Sequence, residues 1–195
     1  MHPPTKGASC SRILDQTTEM LKKALPLALL LMTPLIAHGA EVKSVDNIDL
    51  QRYAGTWYEQ ANFPMYFQRN CARNTTANYR LLAEGQIEVI NRCEKTDGDT
   101  IQAEGIAKPS GNGPAELKVR FAPAFLSFLP FVWADYWVIA LDPDYRWAVV
   151  GTPNREYLWI LSRDKKIPES QLKELSEKAA LQGFDVSKLR VTEQG

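Results

Sequence analysis

The chain has 195 residues, with 23 Lys+Arg against 23 Asp+Glu and only two histidines. That length suits one domain, and the even charge balance argues against nucleic acid as a partner. The shortage of imidazole narrows the chemistry open to the protein.

Residues 1 to 19 show no periodicity, which leaves Met20 as an alternative start. Met20-Leu21-Lys22-Lys23 is a short basic opening, and Ala24 to Ile36 is apolar except at Pro26, Thr33 and Pro34. Ala37-His38-Gly39 then offers small residues for cleavage, so residues 1–39 read as an extension plus a removed secretory signal and residues 40–195 as the domain. The apolar run is too short and too broken by proline to suit a membrane span. Ala40, Glu41 and Val42 follow the expected cut where an acylated protein needs a Cys. The expectation is therefore a periplasmic or secreted product, with or without association to the outer membrane.

Four of the cations (Lys6, Arg12, Lys22, Lys23) and two of the acids (Asp15, Glu19) precede residue 40, leaving 19 against 21 and a formal charge of −2. Both histidines, His2 and His38, also lie in that segment. Ser-His and Cys-His catalysis are thereby excluded from the mature chain, and no metal or other cofactor is expected. Cys71 and Cys93 remain, and in an exported chain they are expected to form a disulfide, two buried thiols being the alternative.

Gly55-Thr56-Trp57-Tyr58 opens a first strand after the polar segment Ser44 to Tyr53. Ala77, Tyr79 and Leu81 then share one strand face, and Ile87, Val89, Asn91 and Cys93 another, with Glu84-Gly85 turning the chain between them. Asp97-Gly98 leads to Ile101, Ala103, Gly105 and Ala107, and Gly111-Asn112-Gly113 leads to Leu117, Val119 and Phe121. Glu116, Lys118 and Arg120 alternate with that last set and are expected to face water.

Tyr136 to Leu141, Trp147 to Val150 and Tyr157 to Leu161 are apolar on both faces and need an outer cover. A helix after Pro168, with a stripe of Leu172, Leu175, Ala179 and Ala180 and a cap at Gly183, can supply it. Lys188 to Thr192 could add an edge strand. Eight strands precede the helix, the number whose closed barrel holds side chains or one small ligand. A Trp at the base of the first strand and Arg163 after the last would close it through a cation–π contact of about 0.5 to 2 kcal/mol. Small inward residues (Ala77, Ala103, Gly105, Ala107) leave a void, and Tyr79, Phe121, Tyr136 and Trp159 would make it aromatic.

Three regions carry a resemblance: Asn47 to Glu59 with its Gly55-x-Trp57, Leu141-Asp142-Pro143-Asp144-Tyr145, and Trp159-Ile160-Leu161-Ser162-Arg163. In this order, and with a helix after the last, the chain resembles the lipocalins from about Asp46 to Thr192, closest to bacterial lipocalins and apolipoprotein D. The resemblance implies an all-β fold, an eight-stranded antiparallel up-and-down barrel with a C-terminal helix packed outside. In that topology Gly55, Trp57 and Arg163 close one end, while Cys71 and Cys93 meet at the other. The resemblance also implies ligand contacts at Tyr79, Asn91, Tyr136 and Trp159, to which the inward face adds Ala103 and Phe121.

Asn91 is read either as a handle for a ligand or as an amide satisfied by a tyrosine or water. Glu59 would point inward in strict alternation and outward after a bulge. The loop from Ala122 to Ala134 contains Phe125, Phe128, Phe131 and Trp133 and no charge up to Trp133. It is read as an apolar rim for a membrane surface or a second copy of the chain, or else as an inward plug.

The function expected is binding, transport or storage of a small hydrophobic ligand in the cell envelope, a fatty acid or lysophospholipid. The alternatives are a structural, stress-protective envelope protein acting through its rim, or an enzyme that would need Glu59 or a Tyr as base.

Overall fold

The computed structural model describes residues 41–195, and the expected signal segment lies outside them. Alternating apolar and polar residues carry the chain through eight antiparallel strands. These are β1 (Gly55–Asn62), β2 (Arg73–Leu81), β3 (Ile87–Glu94), β4 (Thr100–Pro109), β5 (Glu116–Arg120), β6 (Ala134–Leu141), β7 (Trp147–Gly151) and β8 (Leu158–Ser162). Each strand pairs with the next, and β1 pairs with both β2 and β8, so the sheet closes as a barrel without the open edges of a flat sheet. A two-residue strand, β9 (Arg190–Val191), adds to β1 at Ala61 and Asn62, within the stretch expected to form an edge.

One turn of helix, α1 (Leu50–Tyr53), precedes the barrel where the sequence reads as merely polar. Asp49 caps it by accepting from the backbone N–H groups of Gln51 and Arg52, the usual role of Asp at that position. The turn delivers Tyr53 into the buried layer at the barrel floor.

The second helix, α2 (Glu169–Leu181), covers the outer side of β6, β7 and β8. Leu175 and Ala179 bury against Ile139, Val149, Leu158 and Ile160, which explains why these strands are apolar on both faces. Ala180, expected in the stripe, faces solvent. Phe184 joins the layer instead, after Gly183 turns the chain at φ +83°.

The register of β1 shifts between Glu59 and Ala61 against β8. Trp57 and Glu59 therefore keep strict inward alternation, whereas Ala61 and Phe63 pass to the outer layer beneath α2.

Candidate ligand-binding site

The two ends of the barrel are built differently. At the floor Trp57 is fully buried, and its Nε1 donates to the Tyr53 carbonyl at 2.8 Å. The Arg163 guanidinium lies 3.9 Å over the Trp57 ring and donates to the carbonyls of Arg52, Ala54 and Thr56, each at 2.8 Å, and to Tyr53 at 3.1 Å. Gly55 sits at φ +94°, and a Cβ there would come 3.3 Å from Arg163 Nη1. Gly55, Trp57 and Arg163 thus close the floor together, and none of them lines the cavity above.

That cavity has a volume of about 480 Å³. Tyr79, Asn91, Ala103, Phe121, Tyr136 and Trp159 all lie on its wall. Register explains part of the grouping, since Ala77, Asn91 and Ala103 are direct partners across β2, β3 and β4. Gly105 does not contribute the void expected of it. The Phe121 ring closes over this glycine, 2.8 Å from where a Cβ would be.

Near the floor Tyr136 Oη hydrogen-bonds both Tyr53 Oη at 2.7 Å and Tyr79 Oη at 2.9 Å. Burial pushes the Tyr79 phenol up to about 12 and holds Tyr53 and Tyr136 well above their ordinary value, so all three stay neutral hydroxyls. Asn91 Oδ1 is buried without a hydrogen-bond partner among the described residues. The tyrosine cluster therefore does not satisfy it.

Glu59 is the wall residue that sequence reasoning left undecided. It is 3% exposed and lines the cavity. Its Oε1 accepts from Asn62 Nδ2 at 2.5 Å and Thr192 Oγ1 at 2.6 Å, and its Oε2 from Gln68 Nε2 at 3.0 Å. Counting in twos from Trp57 was the usable signal, because the bulge falls just after Glu59.

At the mouth a Cys71–Cys93 disulfide joins the approach to β2 to the end of β3, with Cα atoms 5.4 Å apart. Phe125, Phe128 and Phe131 are 74%, 76% and 80% exposed, so the loop from Ala122 does not fold inward as a plug, although Ala122 and Val132 touch the cavity. Trp133 departs from the other three aromatics. Its Nε1 donates to the Ser127 carbonyl at 2.8 Å, and its ring lies 4.3 Å from Lys108 Nζ and 5.2 Å from Arg120 Cζ. This contact corrects the expectation that Arg120 faces water, since Arg120 is 7% exposed and also donates to the Ala122 carbonyl. A side chain can be polar, outward and still buried when a loop returns across it.

This arrangement can hold an elongated apolar molecule against rings and aliphatic side chains, with an amide, hydroxyls and one carboxylate available to its polar parts. Among the described residues no cluster of three or more His, Cys, Asp or Glu is placed to hold a metal ion.

Comparison with known proteins accords with this geometry. A family model described as "Lipocalin-like domain" matches residues 48–194. The chain is 43% identical over 157 residues to temperature-induced lipocalin-1 of Arabidopsis thaliana, covering 79% of this chain and 83% of the relative. It is 44% identical over 149 residues to the outer membrane lipoprotein Blc of Escherichia coli K12, covering 75% and 80%. Insecticyanin from the tobacco hornworm Manduca sexta superimposes with a TM-score of 0.61 at 20% identity, covering 80% of this chain and 86% of that one, a likeness of fold. The barrel, its outer helix and the match across residues 48–194 make this chain a member of the lipocalin family.

Proposed function

We propose that the protein carries or stores single-chain lipids, fatty acids or lysophospholipids, in the cell envelope after export. Lipocalins bind small hydrophobic ligands and are in general binding and transport proteins rather than enzymes. The observation that carries the reading to this chain is the cavity of about 480 Å³, walled by Tyr79, Ala103, Phe121, Tyr136 and Trp159, with Asn91 Oδ1 buried among them and lacking a hydrogen-bond partner among the described residues. A chain-like apolar ligand fills such a space, and a polar group on it can complete the Asn91 amide. The exposed Phe125, Phe128 and Phe131 support loading at a membrane surface, and the same rim suits a homodimer.

Titrating a lysophospholipid into the protein is expected to quench tryptophan emission saturably, with the quench lost in Trp159→Phe. Absence of any change up to the solubility limit would sink the carrier reading. Exposure of the rim also favours a second reading, an envelope protein that acts through its surface alone. Filling the cavity with Ala103→Trp separates the two. Retention of cellular function in that variant would favour the surface reading.

A further inference from the structure

We infer that the mouth half of the cavity is a subsite for an organic ammonium group, carried by a single-chain amphiphile and paired with the Glu59 carboxylate. The inference rests on the carrier reading and narrows it, away from fatty acids and towards single-chain lipids whose headgroup carries an ammonium, as in some lysophospholipids. Its ground is a charge that the fold buries without an opposite charge. Among the described residues no Lys or Arg lies within 4.0 Å of the Glu59 carboxylate, and yet Glu59 is 3% exposed. The other charged residues on the wall turn their charge elsewhere. Arg92 Nε donates to Gln102 at 2.6 Å, and Asp135 pairs with Lys118 at 2.6 Å.

The hydrogen bonding of Glu59 leaves one direction open. Each carboxylate oxygen accepts about two bonds, and Oε1 has both from Asn62 and Thr192, neither of which lines the cavity. Oε2 has one, from Gln68, which does line it and whose Oε1 accepts from Trp159 Nε1 at 3.4 Å. One acceptor position on Oε2 is therefore left open, and Glu59 lines the cavity together with Gln68 and Trp159. Aromatic faces continue from there, with Trp159 stacked 6.0 Å from Tyr157 and Tyr157 5.7 Å from Phe67. A carboxylate beside such a wall supplies both the ion pair and the ring faces that attract an ammonium group.

The depth fits tail-first entry. Glu59 shares the mouth half with Gln68 and the Cys71–Cys93 bridge, while the tyrosine hydroxyls lie towards the floor. Beyond burial, the Glu59 charge also raises the Tyr79 phenol, so its field reaches into the cavity. An anionic headgroup at this position would meet that field with no cation to offset it.

The test is calorimetric titration at pH 7.5 with dodecylamine, dodecanol and dodecanoate, each below its micelle-forming concentration, on the native protein and on Glu59→Gln. Dodecylammonium is expected to bind at least tenfold more tightly than dodecanoate, with dodecanol between them. Glu59→Gln should narrow the tenfold ratio to less than threefold. Equal affinities across the three, tighter binding of dodecanoate, or a ratio that persists in Glu59→Gln would overturn the ammonium subsite and leave the carrier reading standing. If Glu59→Gln does not fold, the order of the three ligands on the native protein decides. Binding of none of the three would remove both proposals.

Discussion

The floor and the mouth of this barrel solve opposite problems with similar residues. At the floor an aromatic ring and a guanidinium are locked together, and Arg163 spends its donors on the backbone carbonyls of Arg52, Tyr53, Ala54 and Thr56. At the mouth the rings of Phe125, Phe128 and Phe131 stand in solvent, and the cations Lys108 and Arg120 are engaged on the outer wall by Trp133. The closed end is held because Trp57 and Arg163 have found partners in each other and in the backbone. An open end must leave apolar and polar groups unmatched if anything is to bind, and the exposed Phe125, Phe128 and Phe131 are such groups.

Breaking the floor should have the largest effect on stability. Trp57→Ala removes a fully buried ring, and the Arg163 cation loses its aromatic face, so a loss of about 3 to 5 kcal/mol is expected in urea unfolding. A loss below 1 kcal/mol would mean that the floor is not what closes the barrel. The mouth has one comparable brace, the disulfide across a sequence separation of 22. Replacing both cysteines by serine should cost about 3 kcal/mol in the same assay, through the freedom returned to the unfolded chain. Ligand affinity should fall as well, because Cys71 and Cys93 both border the cavity.

Between the two ends, the tyrosine cluster gives a pH dependence of defined sign. Tyr79 titrates near 12 when folded against about 10 when unfolded. The folded state therefore holds its proton more tightly, and the stabilisation is complete below pH 10 and lost as pH rises towards 12. For Tyr79 alone this is worth about 3 kcal/mol. Urea unfolding at intervals from pH 9 to 11.5 should show a falling stability whose slope is shallower in Tyr79→Phe. An unchanged slope in that variant would place the titrating group elsewhere.

The contrast between the ends also marks what the sequence made legible. The floor could be read because Gly55, Trp57 and Arg163 each need the others at fixed positions, and alternation carried the strands between them. Periodicity likewise placed Tyr79, Asn91, Ala103 and Trp159 on the inner wall. What resisted reading depends on contacts made by irregular backbone. Arg120 looked solvated because its neighbours in sequence alternate with it, and only the return of Trp133 buries it. Gly105 looked like empty space until Phe121 crossed it. The direction of Glu59 turned on which side of it a one-residue bulge would fall.

The smallest effect on stability and the sharpest test of the mouth come from the same substitution. Phe125, Phe128 and Phe131 are so exposed that changing each to Ser should shift unfolding by no more than about 0.5 kcal/mol per site. Binding to lipid vesicles, measured by flotation, should nevertheless fall at least tenfold in the triple variant, since the rim offers the apolar area that a bilayer would take up. Vesicle binding that survives the triple change would remove the membrane from the rim's role. The remaining use for three solvent-exposed rings would then be contact between copies, seen in sedimentation as a dimer of the native chain that the triple variant no longer forms.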